Sequence, residues 1–142
     1  VRGRVARLGL GERVAFRGPQ TGVALARSYA GADLLVLASR AETYGMVVTE
    51  ALARGVPVVA AAVGGVGEAL GHGSDSAAPG ILVPPDDPAT LAAALRDWLT
   101  DPQLRTKIRQ AARDRRAQLT GWDETSARVD QVLTAVLRDA PR

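Results

Sequence analysis

The sequence predicts an α/β fold built on a parallel, doubly wound sheet. Three observations point there. Apolar runs of strand length recur at one spacing, with Leu34, Val58 and Leu82 each 24 residues from the next. Each run is continuously apolar rather than alternating, the pattern of strands covered on both faces. Helix-like stretches fill the gaps between them. The order strand, helix, strand, helix, strand implies parallel pairing through right-handed crossovers.

Arg13 to Arg17 alternates around Val14 and Phe16 and stops at Gly18-Pro19, which predicts a first strand. Gly22 to Tyr29 reads as a helix. Leu34 to Leu37 is the second strand. Val47 to Arg54 is a helix closed by Gly55 at its C-terminal cap. Pro57 to Ala60 is the third strand. The glycine-rich turn Gly64-Gly65-Val66-Gly67 leads into a short helix near Glu68 to Leu70, and Ile81 to Val83 is the fourth strand. Asp87-Pro88 resembles an N-cap with proline at the first helical position. Leu91, Leu95, Trp98 and Leu99 are the expected apolar stripe of that helix. Asp101-Pro102 opens a second, arginine-rich helix through about Gln118. A third runs from Trp122 to Leu137, with Val129, Val132, Leu133 and Val136 expected to face inward. Trp98 and Trp122 are expected core anchors. Four strands are fewer than the about five or six of a full doubly wound domain. With Val1 where a Met would stand, the expectation is one Rossmann-like domain, residues 1–142, cut short at its N-terminal side.

Composition removes whole classes of function. The 142 residues include no Cys and one His, His72, so thiolate sites, disulfides and multi-histidine metal centres are excluded. Hydrophobic residues at 46% and charged residues at 23% are globular values. No apolar run approaches the roughly 20 residues of a membrane span. The net charge of +3 is unevenly spread, because residues 31–90 carry seven acids against two arginines between basic flanks. Aromatics are 4% and no groove-reading or base-stacking motif is present, so no nucleic-acid partner is expected. The cluster Arg105, Lys107, Arg109, Arg113, Arg115 and Arg116 reads as a solvated helix face rather than a lipid-binding one. Gly65-Val66-Gly67 starts like a dinucleotide fingerprint, but Leu70 stands where the last glycine belongs. His72 to Ser76 gathers triad residue types in adjacent loop positions rather than from separate elements, and reads as a loop.

Ligands of open α/β sheets bind beyond the carboxyl ends of the strands. The loops there are Ser39 to Met46, Ala61 to Gly67 and Pro84 to Asp87. On one continuous helix Glu42 and Glu50 would diverge by ~80° and ~12 Å. If Glu42 lies in the loop and the helix starts near Met46, both carboxylates can face one cleft, beside the free amides of Gly45, Met46 and Val47. Gly45 would let the backbone approach a ligand closely. Carboxylates accept hydroxyl hydrogen bonds and amides hold phosphate, a combination that suits a sugar nucleotide. The plainer alternative is a helix-capping Glu42 and a solvent-facing Glu50.

The run from Glu42 to Val59 closely resembles the signature of the group 1, family four, retaining glycosyltransferases, enzymes of the GT-B fold. Their E-x7-E motif matches Glu42 and Glu50, and Gly-x-Pro-Val-Val matches Gly55 to Val59. Gly-Gly-x-x-Glu matches Gly64, Gly65 and Glu68, and Gly-x-Leu-Val-x-Pro-x-Asp matches Gly80 to Asp87. Upstream, Leu8 to Gly18 matches a further family run, so the resemblance covers about residues 5–139. It implies the C-terminal, nucleotide-sugar-binding half of the GT-B fold. Glu42 would be the catalytic residue, contacting donor-sugar hydroxyls and stabilising an oxocarbenium-like transition state. Glu50 would bind the ribose hydroxyls. The amides of Gly45, Met46 and Val47 would meet sugar and diphosphate, and Gly18 would lie near the base. Tyr44, Gly64 and Gly65 complete the donor-binding set. The donor would be a UDP-, GDP- or ADP-sugar, with no cofactor and no metal.

The resemblance also implies a missing acceptor-binding N-terminal domain. The Arg and Lys that neutralise the diphosphate in the family precede the point where this chain begins, and Arg40 and Arg54 form no obvious replacement pair. Little or no transferase activity is therefore expected of the chain alone. A cytoplasmic location is implied, with any peripheral membrane contact made through the parent protein. Two alternatives stay open. One is another GT-B enzyme, such as a sugar-nucleotide epimerase; a phosphorylase fits poorly, because the only Lys is Lys107 in the helical tail. The other is a non-catalytic nucleotide-binding or structural module.

Overall fold

The computed structural model describes residues 1–74, 77–119 and 121–139. The chain forms two compact units, Val1–Gly31 and Ala32–Arg142. In the first, α1 (Arg2–Arg7) precedes α2 (Gly22–Ala30). The Arg2 guanidinium lies 4.4 Å from the centre of the Phe16 ring. Ser28 Oγ donates to Gln20 Oε1 at 2.5 Å. Tyr29 is the buried side chain of this unit. The expected strand at Arg13 to Arg17 does not form. Alternation alone makes an extended segment, but a strand exists only where a neighbour completes its hydrogen-bond ladder.

The second unit carries the sheet. Its elements are β1 (Leu35–Leu37), α3 (Met46–Leu52), β2 (Val58–Ala61), α4 (Val66–Leu70), β3 (Gly80–Val83), α5 (Pro88–Thr100), α6 (Pro102–Gln118) and α7 (Trp122–Asp139). The strand order is β1-β2-β3 and both pairings are parallel, Leu35 opposite Val58 and Val58 opposite Gly80. The sheet of the described residues thus has three strands, not four. Helices cover it as the side-chain period of two requires. Val59 and Val83 pack with Ala94 of α5. Leu82 turns the other way, towards Gly67 of α4. Only β2 is buried along its whole length; Val36 of β1 and Leu82 of β3 are exposed. Continuous apolarity therefore marks double coverage at the central strand alone, since an edge strand lacks a neighbour on one side.

The helix signals work as expected at their starts. Asp87 accepts from Ala89 N and Thr90 N ahead of α5, and Asp101 accepts from Gln103 N and Leu104 N ahead of α6. Each satisfies two amides that the first helical turn leaves without an internal partner. Leu91, Leu95 and Trp98 face the core, but Leu99 is 71% exposed. At 100° per residue it sits about 80° round the helix from Leu91. Val129, Val132, Leu133 and Val136 of α7 are all more than half exposed, so the expected inward face is a solvent face. An apolar stripe at helical spacing specifies a helix without specifying what lies against it. The Trp122 side chain, with Asp75 and Ser76 of the 72–76 loop, lies outside the described residues.

Candidate functional site

Because both pairings are parallel, the loops after β1, β2 and β3 leave one edge of the sheet. The loop after β1 runs to Gly45, which caps α3 in the left-handed conformation at φ 85°. No side chain caps this helix, so Glu42 is not its cap. Helix α3 starts at Met46, leaving Glu42 in the loop and Glu50 at the start of the second turn. Both glutamates are half-buried. Ser39 Oγ donates to Glu42 Oε1 at 2.8 Å, which holds one carboxylate oxygen from within the loop itself. The carbonyl of Glu50 accepts from Arg54 Nη1 at 2.8 Å.

The glycines of the second loop have a packing reason. Gly65 N donates to Thr43 O at 2.9 Å. A Cβ at Gly64 would fall 1.8 Å from the carbonyl oxygen of Glu42, and Gly64 has φ 50°. A Cβ at Gly65 would stand 2.9 Å from Thr43 O, and one at Gly45 would stand 3.1 Å from Val66 Cγ2. The two loops therefore clasp backbone to backbone, and the missing side chains are what allow it. Gly45, expected to admit a ligand closely, is buried against α4. Tyr44 and Met46 are exposed and Val47 is half-buried. The structure thus brings Glu42, Tyr44, Gly45, Met46, Val47, Gly64 and Gly65 to one corner of the sheet edge, with Glu50 one turn along α3. Gly18 belongs to the first unit.

The third loop, placed at this edge by its sequence, adds a contact that sequence reasoning missed. Arg40 Nε donates to Asp86 Oδ1 at 2.7 Å, joining the loops after β1 and β3. Asp86 takes φ 56°, the one non-glycine residue with positive φ among those described. Next to it, Asp87 is held below the usual carboxylate range, first by the Thr90 hydroxyl and then by the amides of Thr90 and Ala89. Between these loops and α5 lies a cleft of about 360 Å³, lined by Ala38, Arg40, Ala61, Val83, Asp86 and Leu91 among others. Neither Glu42 nor Glu50 lines it. Ser39 could have been suspected from its position three residues before Glu42; nothing in the sequence pairs Arg40 with a residue 46 positions away. Among the described residues no three acidic or histidine side chains cluster as metal ligands.

The family model for glycosyl transferases group 1 matches residues 1–115. The chain is 41% identical over 137 residues to a D-inositol 3-phosphate glycosyltransferase of Streptomyces coelicolor, covering 96% of this chain and 29% of that one. It is 44% identical over 133 residues to D-inositol 3-phosphate glycosyltransferase 1 of Catenulispora acidiphila, covering 94% and 30%. Among solved structures, sucrose-phosphate synthase from Thermosynechococcus elongatus superposes with a TM-score of 0.81 at 32% identity, covering 98% of this chain and 34% of that one. Anabaena Alr3699/HepE in complex with UDP-glucose gives 0.79 at 29%, covering 94% and 35%. The chain spans about 30% of the length of the curated relatives it matches. With a matched family model over most of its length and a parallel sheet shared with GT-B enzymes, the chain belongs to the glycosyl transferases group 1 family.

Proposed function

We propose that this chain binds the nucleotide-sugar donor of a retaining glycosyltransferase. The observation that carries the reading is the placement of Glu42 in a clasped loop immediately before α3, with Glu50 on the helix itself. Glu42 contacts hydroxyls of the donor sugar and stabilises positive charge as the glycosidic bond to the nucleotide breaks. Glu50 accepts from the ribose hydroxyls. The amides at the start of α3 face the sugar and diphosphate. Tyr44 completes the donor-binding set, with Gly64 and Gly65 seating the loop that carries Glu42. The donor nucleotide is UDP, on the support of the Anabaena protein solved with UDP-glucose. The acceptor is an inositol phosphate, on the support of the relatives named for D-inositol 3-phosphate. Its binding calls for a further domain, consistent with the share of those relatives that this chain spans.

Calorimetric titration of the gene's complete product with UDP-, GDP- and ADP-glucose tests the donor. UDP-glucose is expected to bind and the other two to bind more weakly. Glu50→Ala should weaken it about tenfold or more, the size of a lost charge-assisted hydrogen bond. No binding of any nucleotide sugar would overturn the reading.

A further inference from the structure

We propose that the Arg40–Asp86 ion pair is a positioning device for Glu42, tethering the loop after β1 to the loop after β3. The inference rests on the role assigned to Glu42 above.

The loop is held at three places. Thr43 is fixed from one side by the Gly65 amide, across 2.9 Å. Arg40 is fixed from the other by Asp86, across 2.7 Å. Between the two tethers lie only Ala41 and Glu42. The Ser39 hydroxyl then holds Glu42 Oε1 at 2.8 Å, so carboxylate and backbone are both constrained. Thr43 is held at its backbone and Arg40 through its side chain, so the two residues between them are restrained from both sides.

The anchor on the far side is itself rigid. Asp87 makes three bonds into the first turn of α5, from Ala89 N, Thr90 N and Thr90 Oγ1. Asp86 stands directly before that cap with φ 56°, and its carboxylate accepts from Arg40 Nε. That conformation is strained for a residue with a Cβ. Both side chains of the pair are exposed, at 83% and 64%, so the pair contributes little to global stability. An exposed ion pair joined to a strained backbone is a poor way to stabilise a fold. It is a serviceable way to set the height of a loop.

The test uses the gene's complete product, assayed for glycosyl transfer from UDP-glucose. Arg40→Ala is expected to lower kcat about tenfold with KM for the donor unchanged, the effect of displacing a reacting group by a fraction of an ångström to an ångström. Arg40→Lys should recover most of the loss. Asp86→Gly, which relieves the backbone while deleting the carboxylate, should lower kcat similarly and leave the thermal midpoint unchanged or raised. A raised KM with kcat unchanged would overturn the inference and make Arg40 a direct donor contact. So would wild-type kcat in Arg40→Ala beside a Glu42→Gln variant that has lost turnover. Wild-type kcat in Glu42→Gln would instead overturn the reading of Glu42 beneath it.

Discussion

Gly64 shows how much a single hydrogen in place of a side chain decides. Its α-carbon abuts the carbonyl of Glu42 so closely that no Cβ fits without moving backbone. Gly64→Ala is expected to destabilise the protein by roughly 2 kcal/mol or more, since it combines a clash with a left-handed backbone. It should also lower turnover, because the loop it displaces carries Glu42. Denaturant unfolding beside a measurement of kcat checks both. By contrast, the Arg40–Asp86 pair is exposed and lies in the range of ~0–1 kcal/mol measured for such pairs. The two tethers of the same loop thus differ in kind. One is packing, which fails together with the fold; the other is geometry, which fails alone.

At the scale of elements, helix starts are the best-marked features. Asp87 and Asp101, each preceding a proline, were legible because the N-cap chemistry is local to three or four residues. The cap of α5 has a pH signature. Its carboxylate is held below the ordinary value of 3.8, so the stability it contributes is present above that value and is lost as pH falls through the depressed one. Thr90→Val removes the largest cause of that depression. The variant is expected to melt below wild type near about pH 6, and the gap should shrink towards about pH 3. A gap that stays constant with pH would assign the loss to packing.

Elements that depend on distant partners were less legible. The run Val14 to Phe16 has the residues of a strand and no ladder. The stripe of α7 has helical spacing and faces water. Leu99 continues an apolar pattern past the angle at which α5 meets the sheet. In the candidate site, Glu42, Glu50 and the glycines were singled out because they match a known pattern. The loops holding Ser39, Arg40 and Asp86 could be placed at one edge of the sheet, but the Arg40–Asp86 contact could not, because those two side chains meet only once the sheet is assembled.

Across the whole molecule, burial is concentrated in one place. Val58, Val59 and Ala60 of β2 are fully buried, with Val48, Ala51 and Leu52 of α3 and Val66 and Ala69 of α4 beside them. Residues 1–31 bury only Tyr29 among the described hydrophobic side chains. Amide hydrogen exchange monitored by mass spectrometry should therefore find β2 and its flanking helices slowest and α1 fastest. Equal protection across both units would contradict this. The strand order has a separate consequence for how the chain is made. Among the described residues, each strand lies beside the one synthesised just before it, and none of the three is inserted between two that are already joined. A nascent chain emerging from the ribosome can lay down β1, then β2, then β3 at a growing margin, with α3 and α4 closing each step. Of these three strands, no pairing made early need be pried open to admit a later one.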